Sequence, residues 1–469
     1  MNGGDRLWAN MGAVLPTVSS EAHVDGDLDD EVEVEVVAEV GEGHGAPGRA
    51  PASLTQRSSL LMSAFNPSRE FMSWVYQLNG KLDISALAMA IDDVVRRHDM
   101  LRVRFEDQGE GPEQVITPFR AGVMQIVHLD DRPKAEGLLA ALKAIETTYR
   151  DMSPWDDPRL QATLYTVAPK TNVLAVFVAE ALVDGESGTL VAAELSRAYA
   201  ARAGRAEPDL PVPSTESYLG YVLEHPVPPA VEERSERHWQ SQGAMLRSAG
   251  SWPTEIGDRS LTSFFKIPVG EWQRLVSATP ALGTMPYVVV LSWLEMALAR
   301  VAGAERFSVT SAVSNRRYPE TKQMIGSFVG PVRLDAEVHA EDRLEDVSPR
   351  VMASLRTAIA HSAVPVPLAE ARAQAPAPYV PPPRQVSFFM FNEREGLDLP
   401  GVRQRRFRLH MGALDILRVN CTPDVEGGRN FFFTTASASS ELLSDLVSTF
   451  RSLLDDAMSA PPRDAGPHG

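Results

Sequence analysis

Ala179-Glu180-Ala181-Leu182-Val183-Asp184-Gly185 follows the apolar run Val173-Leu174-Ala175-Val176-Phe177-Val178. Together they read as a buried strand running into a turn. Upstream, Leu160–Val167 and Asn172–Val178 have the pattern of a hairpin of core strands. Downstream, Ser187 stands where a side chain can cap a helix reaching about Ala201, with Leu190, Val191, Leu195 and Ala198 turned inward. A buried carboxylate at Asp184 needs a cationic partner, because stripping water from an unpaired charge costs on the order of several kcal/mol. Gly185 permits a backbone conformation that other residues resist and brings the chain close to a ligand. Its N–H lies near the start of the helix, where a developing negative oxygen is favoured.

Working outward, Met72–Leu78 reads as a strand, Asn79-Gly80 as a turn and Asp83 as the cap of a helix. Ile84, Leu87, Ile91 and Val94 or Val95 share one face of that helix, with His98 at its end. Leu101–Phe105, Glu113–Ile116 and Val123–His128 read as strands, and Glu136–Arg150 as a second amphipathic helix. Pro208–Pro229 is proline-heavy and reads as an ordered crossover between two halves. In the second half, helices are expected near 229–247, 270–278, 285–302, 342–361 and 440–458. Strands are expected near 261–267, 306–312, 329–335, 385–392, 405–420 and 429–435. Pro365–Pro383 holds seven prolines and reads as a stiff loop. Alternating helices and antiparallel strands in both halves predict an α/β fold of two mixed-sheet lobes. The boundaries expected are 51–228 for the first lobe and 229–460 for the second, with 461–469 a frayed tail.

The chain has 469 residues, which suits two lobes rather than one small core. Its formal charge is −17, and residues 1–48 hold eleven acids against one base, Arg6. Residues 1–50 therefore read as an acidic disordered tail. Within it, Glu31-Val32-Glu33-Val34-Glu35-Val36 alternates with period two, which leaves open a strand added on docking. No basic face points to nucleic acid. The single cysteine, Cys421, excludes an internal disulfide and reads as a small buried group. The ten histidines follow no zinc-ligand spacing. No apolar run reaches the ~18–20 residues that span a bilayer. The N-terminus does not resemble a secretory signal, so a cytoplasmic location and no membrane partner are expected.

Six further segments carry a resemblance. They are Ser53-Leu54-Thr55-Gln56-Arg57, Leu78-Asn79-Gly80-Lys81-Leu82-Asp83 and Arg97-His98-Asp99-Met100-Leu101-Arg102-Val103-Arg104-Phe105. Pro154-Trp155-Asp156 with Pro158-Arg159-Leu160-Gln161-Ala162, then Ser314-Asn315-Arg316-Arg317, then Ile325-Gly326-Ser327-Phe328-Val329-Gly330-Pro331-Val332-Arg333 complete them. In this order and spacing, residues 52–458 resemble the nonribosomal peptide condensation domains of the CoA-dependent acyltransferase superfamily. The active motif of that family is two histidines, three variable residues, then Asp-Gly. Here Asp184 and Gly185 stand, and the histidine positions hold Ala179 and Glu180.

The resemblance implies two chloramphenicol acetyltransferase-like lobes in a V around a central tunnel. It also implies substrates tethered to carrier proteins by a phosphopantetheine arm, and an amide or ester product. Asp184 is expected to be structural and to pair with Arg102. Glu180 takes the place of the histidine credited with catalysis. Three readings stay open for it: an acid or base for acyl transfer, a group for cyclisation or elimination, or an inert relic in a module that binds or recruits. A glutamate is roughly two pKa units weaker as a base than histidine, and burial in an apolar tunnel can lift it into a useful range. Ala179 packs. Gly330 replaces an asparagine at the lobe seam, either widening the tunnel or by neutral drift. Ala179, His98, Ser187, Asn315 and Gly330 are expected to line the tunnel. His98 reads as a structural histidine rather than a second catalytic base. Trp239 is expected to pack where the second lobe begins. Arg403, Arg405, Arg406 and Arg408 form a basic cluster assigned to the second lobe, either a solvated face or a docking surface for an acidic carrier. The expected function is that of a stand-alone condensation-like protein acting in trans on an acyl or peptidyl carrier protein. A non-catalytic recruiting module and a CoA-dependent acyltransferase are its rivals. No resident metal or nucleotide is implied, because the thioester drives the reaction.

Overall fold

A computed structural model describes residues 34–35, 48–65, 70–107, 109, 111–156, 160–210, 217–245, 260–381, 384–391, 396–407, 415–436 and 438–459. The first half contains β1 (Val34–Glu35), β2 (Arg49–Pro51), α1 (Leu54–Ser63), β3 (Phe71–Gly80) and α2 (Ile84–Arg97). It continues with β4 (Val103–Asp107), β5 (Pro112–Ile116), β6 (Met124–His128), α3 (Lys134–Asp151), β7 (Leu160–Ala168), β8 (Thr171–Ala179) and α4 (Gly185–Ala203). A short helix, α5 (Tyr218–Glu224), lies in the crossover. The second half contains α6 (Pro229–Met245), β9 (Leu261–Ile267), α7 (Val269–Ala278), α8 (Pro286–Ala302), β10 (Arg306–Ser314) and β11 (Val329–Glu337). Then come α9 (Leu344–His361), α10 (Val366–Gln374), β12 (Arg384–Met390), β13 (Val402–Phe407), β14 (Asp415–Pro423), β15 (Arg429–Thr435) and α11 (Ser440–Ser459).

Two six-stranded mixed sheets organise the molecule. Their orders are β1-β6-β7-β8-β3-β13 and β11-β10-β12-β14-β15-β9, with a small third sheet, β2-β5-β4. Parallel pairs join β6 to β7, β10 to β12 and β12 to β14; the other pairs are antiparallel. β8 sits inside the first sheet between β7 and β3, which explains why it is apolar on both faces. Each sheet has its own core. Val75, Leu87, Leu164 and Leu174 belong to the first, and Trp293, Phe388, Phe433 and Phe450 to the second. α8 is buried continuously from Val288 to Ala299, as a helix apolar all round must be. Among the described residues, no helix is long and apolar enough to cross a membrane.

The lobes are not the contiguous halves expected. β13 leaves the second half and pairs with β3, so Arg403, Arg405 and Arg406 lie on an end strand of the first sheet, not in the second lobe. Arg403 and Arg405 are exposed on it; Arg408 is outside the described residues. The expected strand over 405–420 is thus two strands in two sheets. Asn79-Gly80 is not the turn expected: β3 runs through Gly80, whose φ is +143°. A Cβ there would lie 2.2 Å from the Gly401 carbonyl oxygen. The glycine serves close approach of β13 rather than chain reversal. α1 also bridges the lobes, with Leu60 in the first core and Leu61 and Met62 in the second.

Two other expectations change. Pro365–Pro383 is not all loop, because α10 occupies Val366–Gln374. Pro365 is its N-cap and Pro367 lies in its first turn, where a missing N–H costs nothing. Within the segment expected to be a disordered tail, Val34–Glu35 pairs antiparallel with Val127 and Ile126, and Arg49–Pro51 pairs with β5. The rest of residues 1–47 and the expected frayed tail, 461–469, are outside the described residues.

Candidate functional site

β8 ends at Ala179, fully buried and paired with Phe71. The chain then turns. The Glu180 N–H donates to the Glu70 carbonyl at 2.7 Å, and the Leu182 N–H to the Ala179 carbonyl at 2.9 Å. Gln56, fully buried on α1, donates to the Ala181 carbonyl at 3.1 Å and to Gln114 Oε1 at 3.1 Å. α1 therefore holds the middle of the turn. The Glu180 side chain is exposed.

Asp184, not Ser187, is the N-cap of α4, accepting the Ser187 N–H at 2.8 Å. The cationic partner of Asp184 is Arg316, not Arg102. Asp184 Oδ1 accepts from Arg316 Nη2 at 2.7 Å, and Oδ2 accepts the Phe328 N–H at 3.2 Å. Arg102 instead closes the 3-10 turn Asp99–Arg102, donating to the Thr117 carbonyl at 2.6 Å, the Val95 carbonyl at 3.2 Å and the Asp99 carboxylate. These bonds hold its guanidinium against Asp99 and Thr117, and none of its recorded bonds reaches Asp184.

Arg316 also donates to Ser187 Oγ at 2.8 Å and to the Met324 and Thr321 carbonyls, and lies over the Phe328 ring. Ser187 is fully buried. Its hydroxyl donates to the Gly326 carbonyl at 2.9 Å and accepts the Gly326 N–H at 3.0 Å. It fastens α4 to the second half of the chain rather than lining an open channel. Tyr218 reinforces the same seam, donating to the Ser327 carbonyl at 2.7 Å with Ser53 Oγ at 2.9 Å. Burial pushes its hydroxyl up to about 12. A Cβ on Gly326 would fall 2.1 Å from the Tyr218 ring, so only glycine fits there.

Gly185 does not use the backbone freedom expected of it, since its φ is not positive, and a Cβ there would meet nothing within 4 Å. Space is open at the start of α4. Asn315 ties to Ser362, accepting its hydroxyl at 2.8 Å and donating to its carbonyl at 3.3 Å. Gly330 lies at the seam, where a Cβ would sit 3.5 Å from Thr55 Cγ2 and 3.6 Å from Asn315 Nδ2. His98 is away from this frame. Its Nε2 meets Glu194 Oε2 at 2.7 Å beside the Arg97–Glu194 ion pair, tying α2 to α4. Trp239 is fully buried and donates to the Val364 carbonyl at 2.8 Å. Cys421 is fully buried, which raises its thiol to about 12 and leaves it inert. Among the described residues, no group of three or more His, Cys, Asp or Glu side chains could hold a metal.

Sequence reasoning places Arg316, Gly326 and Gln56 in motifs without giving them these roles. The signal is present for Gly326, an invitation to close packing, and for Tyr218, an aromatic in a proline-rich crossover. Nothing local distinguishes Arg316 from Arg102.

A model of the condensation domain family matches residues 47–376, more than half of the chain. Chondramide synthase cmdD of Chondromyces crocatus is 26% identical over 307 residues, which is 63% of this chain and 8% of that protein. The chain spans less than a tenth of the length of the curated relatives it matches first. Among solved structures, the complex of the X-domain and OxyB from teicoplanin biosynthesis matches with TM-score 0.67 and 22% identity, covering 89% of this chain and 95% of that one. The first condensation domain of the calcium-dependent antibiotic synthetase, in complex with a substrate analogue, matches with TM-score 0.68 and 18% identity, covering 88% and 97%. The fold of two acetyltransferase-like lobes is shared with both.

Proposed function

We propose, because the chain belongs to the condensation domain family, that it is a condensation-fold module that engages a carrier-tethered thioester and presents it to a partner enzyme, without imidazole-based acyl transfer. One observation carries this reading: Ala179 is fully buried and Glu180 exposed where the family's histidines stand, on a turn whose frame is intact. Attack of an amine on a thioester needs a group that takes its proton in the transition state. A methyl side chain cannot, and an exposed carboxyl lacks the burial that makes glutamate an effective base. A maintained frame without its base fits a binding role. The X-domain–OxyB complex is a precedent for a similar fold that assembles with a second protein. By that analogy, the partner is a tailoring enzyme of nonribosomal peptide assembly. The phosphopantetheine arm belongs to the substrate, so no resident cofactor is invoked.

A second reading keeps Glu180 as an acid or base. It is favoured by the turn that fixes the Glu180 backbone to Glu70 and by the open space at Gly185. Intact-protein mass spectrometry of a loaded carrier, before and after incubation with the chain, separates the two. Recruitment predicts an unchanged carrier mass and a carrier complex that survives Glu180→Ala. A loss of water or a group transfer that disappears in Glu180→Gln would overturn recruitment and establish catalysis. Turnover of an acyl-CoA with no carrier present would instead support CoA-dependent transfer.

A further inference from the structure

A groove of about 240 Å³ lies on the second lobe between the start of α8 and the exposed face of α9. None of its lining residues belongs to the Asp184 frame. Its polar lining is Thr284, Ser348 and Arg356; Pro349 and Met352 supply apolar surface, and no carboxylate lines it.

Ser348 is only 8% exposed, yet its hydroxyl has no hydrogen-bond partner among the described residues. A helical serine commonly bonds back to the carbonyl four residues earlier. Ser348 lines the groove instead. The Thr284 Oγ1, unlike the Ser348 hydroxyl, is itself a buried atom, and it has no partner among the described residues. Buried hydroxyls are rarely left unmet, because the lost water is not replaced. Arg356 is exposed and makes no ion pair among the described residues. Thr284 precedes Met285, the N-cap of α8, a helix of 17 residues with no side-chain cap. Pro286 opens that helix, so the N–H groups of its first turn and the positive end of its dipole follow directly in the chain from the groove residue Thr284.

We propose that this groove binds a phosphoryl group. The Ser348 and Thr284 hydroxyls and the Arg356 guanidinium are all donors on one groove with no carboxylate in its lining, and an uncapped helix start follows Thr284 in the chain. A phosphoryl group offers three acceptor oxygens and up to two negative charges, which a carboxylate does not match. The groove is larger than a bare phosphate needs, and Pro349 and Met352 can meet the carbon part of a small ester. The site is independent of the role assigned to Glu180.

Calorimetric titration of the full chain with glycerol 3-phosphate, inorganic phosphate and glycerol tests this. Saturable binding is expected for the phosphate-bearing probes and none for glycerol. Arg356→Gln and Ser348→Ala should each weaken binding by about tenfold or more. Both variants should melt with the parent in the absence of phosphate, since neither side chain has a folded-state partner to lose. Tighter binding of the ester would assign the site to a phosphate ester; equal binding would assign it to the free ion. Absence of saturable binding by both phosphates, or affinity untouched by both substitutions, would overturn the proposal.

Discussion

Asp184 and Arg316 meet at 2.7 Å between the start of α4 and the loop after β10, each side chain only 3% exposed. Removing one member of a buried ion pair leaves the other as an uncompensated charge, typically a loss of about 3–5 kcal/mol. Arg316→Ala should approach that loss in urea unfolding, and it also frees Ser187 and two carbonyls. Arg102→Ala should cost less, because its carboxylate partner, Asp99, is 42% exposed and can rehydrate. Equal losses from the two substitutions would contradict the assignment of Arg316 as the partner of Asp184.

Gly326 and Tyr218 make a second, steric lock on the same seam. Gly326→Ala drives a methyl into the Tyr218 ring, whose hydroxyl is fixed by Ser327 and Ser53. Overpacking of this kind costs about 1–3 kcal/mol. The double variant Gly326→Ala with Tyr218→Ala should recover part of the steric loss relative to the sum of the single changes. Purely additive losses in thermal unfolding would mean that the two residues do not clash.

The strands and helices were legible where pattern is local. Val173–Val178 is apolar at every step because β8 is interior to its sheet, and Asp83 caps α2 by accepting the Ala86 N–H as its position suggests. What stayed illegible depends on distant partners. Arg403, Arg405 and Arg406 read as second-lobe surface because nothing near Val402–Phe407 announces β3, far earlier in the chain, as its pairing strand. Arg102 and Arg316 sit in equally suggestive motifs, and only the folded chain shows which reaches Asp184. Pro367 reads as a helix breaker by residue type, while its place in the first turn makes it harmless.

Glu295 lies 2% exposed inside α8, and burial pushes its carboxyl up to about 8, against a smaller opposing pull from Arg350. The unfolded chain releases that proton near pH 4.3, so the unfolded state binds fewer protons than the folded state from there to about 8. Stability from this group is full below about pH 4.3 and declines as pH rises, levelling off past the folded value. The decline is on the order of 3–5 kcal/mol. Glu295→Gln cannot ionise, so its advantage over the parent should grow from acid to mildly alkaline pH in urea unfolding. A stability difference that does not vary with pH would show that Glu295 does not titrate this way.

His238 of α6 and His361 at the end of α9 stack with ring centroids 4.1 Å apart and planes inclined by 13°. Burial is the first cause holding both imidazoles below their usual range, and for His361 the charges of His238 and Arg234 add to it. His238 Nε2 and His361 Nδ1 are buried with no hydrogen-bond partner among the described residues. The folded pair therefore stays neutral where the unfolded chain takes up protons, beginning near pH 6.5. Stability is fully present above that pH and falls as pH drops toward the depressed folded values. His238→Phe keeps a stacked ring and removes one proton site, so its melting temperature should fall less than that of the parent between about pH 7 and pH 5. The same substitution should leave the Trp239 bonds to the His361 and Val364 carbonyls in place, because they come from the indole and the backbone. Parallel melting profiles for parent and variant across that range would rule out the stacked pair as a source of acid sensitivity.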